Sequence, residues 1–277
     1  MEREQLVTMA QTLVQEFTTK KNQKQSTLAR QLEISQSRLT QLFNNPEMLS
    51  EELLLKIINR LKEKTDFKIV GTANFTAVQS ICKEAQQKHK LVAIIGYPGA
   101  GKTVGLDSYY RNSGNTYYME AKNTMNRKQF FAKVLIELGV NFQGTVYDMV
   151  NAIANELNTR ESPLLIIDEA GKINHNVLLD LHDLRNATIG NAGIVMAGCE
   201  YFHDNMRIAA QKQKQGIPEF YSRVQNWNEL NPPTRKEIAA ICQSNGVSDA
   251  EVIKEMQRIK NFRELYNSIT NETTTDN

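Results

Sequence analysis

Residues Gly96 to Thr103 read Gly-Tyr-Pro-Gly-Ala-Gly-Lys-Thr, the G-x-x-x-x-G-K-[ST] pattern of a phosphate-binding loop. Glycines at this spacing let backbone N–H groups turn inward around phosphate oxygens, and the following helix aims its positive N-terminal end at the same charge. Gly96, Tyr97, Pro98, Gly99, Ala100 and Gly101, with Lys102, Thr103 and Val104 after them, are the expected nucleotide contacts. Lys102 is expected to reach the β- and γ-phosphates of ATP, and the Thr103 hydroxyl to hold Mg²⁺. A second stretch completes the chemistry: Leu164-Leu165-Ile166-Ile167-Asp168-Glu169 is four aliphatic residues ending in two carboxylates. A buried parallel strand of this kind delivers acids to its C-terminal edge, where a doubly wound sheet puts its site. Asp168 is then the Mg²⁺ carboxylate and Glu169 the group that polarises the attacking water.

Such groups need a sheet to hold them, and the pattern supplies one. A helix over Thr76 to Gln87 precedes the apolar run Leu91 to Ile95, the loop and its helix, and a strand over Thr116 to Glu120. Helices over Arg127 to Leu138 and Thr145 to Asn158 lead to the acidic strand, followed by a helix from His175 to Asn186 and a strand from Gly193 to Ala197. This alternation predicts an α/β fold for residues 75–231, a parallel sheet with helices on both faces. Beyond Pro232-Pro233, helices over Thr234 to Ser244, Asp249 to Lys260 and Phe262 to Ile269 predict a small helical lid in residues 232–277, its polar tail from Asn271 frayed.

Residues 1–65 read as a separate all-α unit. Leu6, Met9, Ala10, Leu13 and Phe17 recur at helical spacing, and Leu53, Leu54, Ile57, Ile58 and Leu61 do so again. Between them, Ala29, Leu32, Ile34, Leu39 and Leu42 are the apolar positions of a helix-turn-helix with Gln36 to Phe43 as its reading helix. Ser35, Gln36, Ser37, Arg38 and Gln41 would then face DNA. Glu33 stands where such turns usually place Gly, because the backbone there favours positive φ. A small helical protein-docking domain is the other reading of the same pattern. Residues 66–74, with Gly71 and no clear period, read as a linker.

Composition sets the bounds. The 277 residues are 40% hydrophobic, enough for one large or two modest domains, and the net charge of +2 is too mild to announce nucleic-acid binding by itself. No apolar run approaches the roughly 18 residues that span a bilayer, and the first ten residues lack the zones of a secretory signal, so a cytoplasmic location is expected. Cys82, Cys199 and Cys242 are far apart and without C-x-x-C spacing, which suggests neither a disulfide framework nor a zinc site.

The helix-turn-helix, linker, phosphate loop, Ile-Ile-Asp-Glu-Ala strand and helical lid, in this order, resemble the phage Mu B group of transposition proteins over residues 22–270, as does Gly193-Ile-Val-Met-Ala-Gly-Cys-Glu-Tyr-Phe-His-Asp-Asn-Met206. That group consists of AAA+ ATPases that activate transposases and select target DNA, with TnsC-type regulators as relatives. The resemblance implies ATP-dependent assembly of a helical filament on double-stranded DNA and recruitment of a DDE-class transposase. It also implies that Arg223, in Phe220-Tyr-Ser-Arg-Val224, looks like an arginine finger for a neighbouring subunit, and that Arg263 takes a nucleotide-sensing place in the lid. A surface arginine at a helix end is the other reading of Arg223. The polar residue that orients the attacking water in AAA+ proteins aligns with Cys199, whose thiol is a poor donor, so either slow hydrolysis or participation of Glu200 is expected. Lys122, Arg127 and Lys128 fall where relatives line the filament bore, and Thr145 opens a helix whose N-terminus is available for a phosphate; a solvated basic face explains them equally well. Two other functions share parts of this pattern: a nucleotide-responsive transcription regulator, and a helicase-loader ATPase of the DnaC or IstB kind.

Overall fold

The computed structural model describes residues 3–62 and 67–275. Four helices come first: α1 (Arg3–Lys21), α2 (Gln25–Gln31), α3 (Gln36–Asn44) and α4 (Glu51–Leu61). They enclose their own apolar cluster, in which Leu6, Ala10, Val14 and Phe17 of α1 meet Leu39, Leu42, Leu54 and Ile57. The turn between α2 and α3 holds Glu33 at φ 55°, the left-handed conformation expected at that position, and Ser35 caps α3 by accepting from the Arg38 N–H.

The chain then builds a five-stranded parallel sheet, and its helices follow in order. α5 (Ala73–Gln87) leads into β1 (Leu91–Ile95), α6 (Lys102–Asn112) and β2 (Thr116–Glu120). After α7 (Arg127–Glu137) and α8 (Val146–Asn158) come β3 (Leu164–Asp168), α9 (His175–Ala187) and β4 (Gly193–Gly198). α10 (Glu200–Gln211) and α11 (Ile217–Arg223) precede β5 (Asn226–Glu229). The strand order is β2-β3-β4-β1-β5, and every residue of β1, β3 and β4 is buried, as central strands covered on both faces must be. The register places Glu120 opposite Asp168 and Ile95 opposite Gly198, so the loops that follow β1, β2, β3 and β4 share one edge.

A lid of α12 (Arg235–Ser244), α13 (Ala250–Met256) and α14 (Phe262–Thr275) closes the chain around Ile238, Cys242, Leu265 and Ile269.

Four expectations change. α10, α11 and β5 are additional elements; Asn226-Trp-Asn-Glu229 is polar, and an edge strand needs little apolar cover. α5 begins at Ala73, capped by the Thr72 hydroxyl, so the linker expected over 66–74 ends earlier; residue 66 and residues 63–65 of the first unit lie outside the described residues. α13 stops at Met256, short of Lys260. α14 runs on through the tail expected to fray from Asn271.

The N-terminal helices are joined to the sheet domain by buried polar contacts. Lys21, 2% exposed, donates to the carbonyls of Tyr110 (2.6 Å), Ser113 (3.1 Å) and Thr116 (2.8 Å) and to the Thr116 hydroxyl. Burial pushes its ammonium well below the usual lysine range. Gln31 Nε2 donates to the Glu137 carbonyl at 2.8 Å, Arg30 to that of Gly139, and Arg111 to that of Leu61 at 2.7 Å. The Glu137 carboxylate is itself buried, 3.0 Å from Lys133 and 3.8 Å from Arg60; burial raises its pKa, with Lys133 opposing.

Candidate active site

The phosphate loop leaves the buried end of β1 and turns back through two left-handed glycines, Gly99 at φ 87° and Gly101 at φ 85°, conformations that strain any residue with a β-carbon. At Gly99 such a carbon would also lie 2.9 Å from the Asn261 side-chain oxygen. α6 begins directly at Lys102, whose side chain folds over the loop, Nζ donating to the carbonyls of Gly96 (2.6 Å) and Tyr97 (3.1 Å). Pro98 is exposed and Ala100 buried, while Val104 faces outward from the first turn. Backbone turned inward by glycines, a lysine folded over it and a helix N-terminus below it fit a nucleotide's phosphates.

The acidic strand arrives from the other side of β4. Asp168 is 1% exposed and receives three donors: the Thr103 hydroxyl at 2.7 Å and the Tyr118 hydroxyl at 2.8 Å on Oδ2, and the Glu169 N–H at 2.8 Å on Oδ1. A threonine oxygen and a carboxylate at this distance are two hard oxygen donors, the set a Mg²⁺ ion takes. Burial and the neighbouring Asp168 push the Tyr118 phenol far up, so its proton stays in place as a donor. Glu169 sits at φ 57°, left-handed and non-glycine, a conformation that turns its carboxylate out of the strand toward Lys172 at 3.2 Å. Cys199 is the N-cap of α10 and makes no side-chain capping bond.

The lid closes over the loop. Phe262 N–H donates to the Gly99 carbonyl at 3.0 Å, and the Arg263 Cβ would be 3.1 Å from a β-carbon at Gly99, so Arg263 stands beside the phosphate loop. Asn74, read in the sequence as linker, is buried and donates to the carbonyls of Ala100 (3.1 Å) and Asn231 (2.8 Å), pinning loop to lid entrance. Thr72, a capping residue three before Phe75, was the signal that could have put Asn74 on a helix. Tyr118 carried no such signal, since nothing in the pattern of a half-buried strand singles out a phenol.

Arg223 lies elsewhere. β5 runs parallel to β1, and the Gln225 N–H donates to the Leu91 carbonyl at 2.9 Å, so Arg223 precedes the edge where β1 begins. At about 3.3 Å per residue, the length of β1 separates it from the phosphate loop by about 15 Å. Exposed at the end of α11, Arg223 is out of reach of its own loop.

The DNA candidates divide. Ser35, Gln36, Ser37 and Arg38 are exposed along the start of α3, with Gln41 half-buried beside them. Lys122 is exposed at the same sheet edge as the phosphate loop, and Lys128 is exposed on the first turn of α7. Arg127 is bonded through two nitrogens to the buried Asp180 carboxylate, which ties it to α9. The helix end at Thr145 already holds an anion: Asp148 accepts from the Thr145 hydroxyl at 2.6 Å and its N–H at 3.1 Å. This carboxylate stands at the terminus where a phosphate was expected.

Residues 84–206 match the family model described as an AAA domain. Comparison with curated protein sequences gives no match. Among solved structures, the chain is similar to the ORC1 protein of Aeropyrum pernix in complex with DNA, with a TM-score of 0.56 and 13% identity over 73% of this chain and 59% of that one. It is similar to the ORC2 protein of the same organism in ADPNP-ADP complexes, with a TM-score of 0.50 and 15% identity over 66% and 55% of the two chains. NtrX from Brucella abortus in complex with ATP gives a TM-score of 0.50 and 13% identity over 86% and 59%. The chain thus spans little more than half the length of these structures, and at such identities the likeness is one of fold. Sheet order, loop and matched domain together define an AAA-type P-loop domain of the AAA+ fold. Among the described residues no helix is long and apolar enough to cross a membrane.

Proposed function

We propose that this chain is an ATP-dependent DNA-binding ATPase that assembles on duplex DNA and, as its resemblance to the Mu B group implies, recruits and activates a DDE-class transposase. The observation that carries the DNA part is the polar outer face of α3, exposed and clear of the core, on a unit that α1 and α2 fix to the ATPase domain. In this reading α2 and α3 are the helix-turn-helix, Ser35, Gln36, Ser37, Arg38 and Gln41 meet DNA, and Lys122 and Lys128 add phosphate contacts. The ORC1 neighbour, solved with DNA, lends the same direction to the argument.

Hydrolysis in this reading uses the residues gathered at the sheet edge. ATP with Mg²⁺ supplies the transferred phosphoryl group and the cation that offsets its charge. Lys102 and the loop N–H groups hold the phosphates, Thr103 and Asp168 hold Mg²⁺, Arg263 reads the nucleotide from the lid, and Glu169 draws a proton from the attacking water. Arg223, out of reach of its own loop, serves the nucleotide of the next subunit, which makes hydrolysis depend on assembly.

Sedimentation with random-sequence duplex DNA, in ATP and in ADP, tests the reading. Co-sedimentation in ATP, lost in ADP and in Lys102→Ala and reduced by salt, is expected. Discrete, sequence-dependent complexes indifferent to nucleotide would favour the transcription regulator instead.

A further inference from the structure

Of the three donors on Asp168, one belongs to neither the phosphate loop nor the acidic strand. Tyr118, on β2, places its hydroxyl 2.8 Å from Oδ2, on the same oxygen that takes the Thr103 proton. Its ring lies 5.7 Å from that of Tyr110, tilted by 40°. Tyr110 is in turn held from two sides by the N-terminal unit, with the Phe17 ring edge-on at 5.9 Å and the Lys21 ammonium 3.9 Å from its ring centroid. Tyr110 also belongs to α6, the helix that Lys102 begins, and its carbonyl accepts from Lys21.

We propose that Tyr118 is a positioning residue for Asp168, and that docking of α1 bears on the phosphate site through Tyr110 and Tyr118. The proposal rests on the reading of Asp168 as the Mg²⁺ carboxylate. A carboxylate at a strand end can rotate about its last bond; two hydroxyls on one oxygen and an N–H on the other hold it in one orientation. Moving Tyr118 away would leave its hydroxyl without the charged acceptor it now has, so the ring stays where Tyr110 lets it stay. Tyr110 is fixed by the Lys21 Nζ over its face and the Phe17 ring at its edge, both from α1. Displacing α1 therefore loosens Tyr110, then Tyr118, then the carboxylate. The side chains are contiguous, which makes the route physical.

The test is a Mg²⁺ titration of fluorescent ATP-analogue binding to the full chain. Tyr118→Phe keeps the ring and removes the hydroxyl; the half-saturating Mg²⁺ concentration is expected to rise about three- to tenfold, the scale of one hydrogen bond. Analogue binding in EDTA and the melting temperature are expected to stay close to those of the parent, which separates positioning from a general structural role. Lys21→Met and Phe17→Leu are each expected to raise the Mg²⁺ requirement in the parent and to add nothing in Tyr118→Phe. If Lys21→Met does not fold, Phe17→Leu carries the same comparison. An unchanged Mg²⁺ requirement in Tyr118→Phe overturns the positioning role, and equal shifts in both backgrounds overturn the route through Tyr118. Asp168→Asn separates the underlying reading: if its Mg²⁺ dependence matches the parent's, Asp168 is not the Mg²⁺ carboxylate, whatever Tyr118 does.

Discussion

In the proposed mechanism the two adjacent acids at the end of β3 do different work, and their backbones differ accordingly. Asp168 is extended, buried and triply bonded, while Glu169 turns out at φ 57° beside Lys172. Glu169→Gln is expected to keep ATP binding and lower hydrolysis by about a hundredfold or more, the contribution of a positioned base, as single-turnover kinetics would show. At Cys199, which offers a thiol where a stronger donor would orient water, Cys199→Asn is expected to raise turnover several-fold, up to about tenfold. Unchanged turnover would remove Cys199 from the chemistry. The loop and the acidic strand were legible in the sequence because their residue types are demanded by the chemistry itself. Asn74 and Tyr118 were not, since a hydrogen bond between side chain and distant backbone or carboxylate leaves no periodic mark.

At the scale of elements, packing decides between opposing effects. Gly105 of α6 lies against Val78 of α5, where an added β-carbon would come within 2.9 Å of the Val78 Cβ and 2.8 Å of its Cγ1. Alanine would gain about 1 kcal/mol of helix propensity, but overpacking against a stiff β-branched side chain costs about 1–3 kcal/mol. Gly105→Ala is therefore expected to melt at a lower temperature than the parent; a rise would show that the two helices separate freely. The lid has a pH-sensitive anchor in Glu237, which accepts from the N–H groups of Ala73 and Thr234, both at 2.7 Å, and from the Thr234 hydroxyl. Burial raises its carboxyl, and these bonds outweigh burial and hold it below the usual 4.5. Its folded value being the lower one, Glu237 contributes stability that is present above 4.5 and lost as pH falls through the folded value. Thermal melts from neutral to acid pH should fall less steeply for Glu237→Gln than for the parent; parallel curves would contradict this. Helices and central strands were legible because their apolar periods are strong, whereas β5 escaped notice as a polar edge strand, and the extent of α14 escaped because a polar tail carries no period.

The whole molecule places its parts at two opposite edges of one sheet. The phosphate loop, Asp168 and the lid lie at the edge where β1 ends, and Arg223 lies where it begins, so in the proposed reading one chain holds a nucleotide pocket and an arginine that serves another chain's. The N-terminal helices add a third component, joined to the core through Lys21, Gln31 and Arg30 rather than hung from a linker. The helical periods of this unit, which has an apolar cluster of its own, were legible in the sequence, but its docking was not: a buried lysine reads in a sequence like any surface cation. The central claim, that hydrolysis is completed between neighbouring chains on DNA, is tested most directly by mixing two inactive variants. Glu169→Gln keeps ATP binding, and with it assembly on DNA, lacks the base but keeps Arg223; Arg223→Ala keeps the pocket and the base. On duplex DNA each alone is expected to hydrolyse ATP poorly, with ATP-analogue binding intact in Arg223→Ala, and the equimolar mixture to recover activity. A mixture no more active than the two variants measured separately, or an Arg223→Ala variant with full activity of its own, would contradict it.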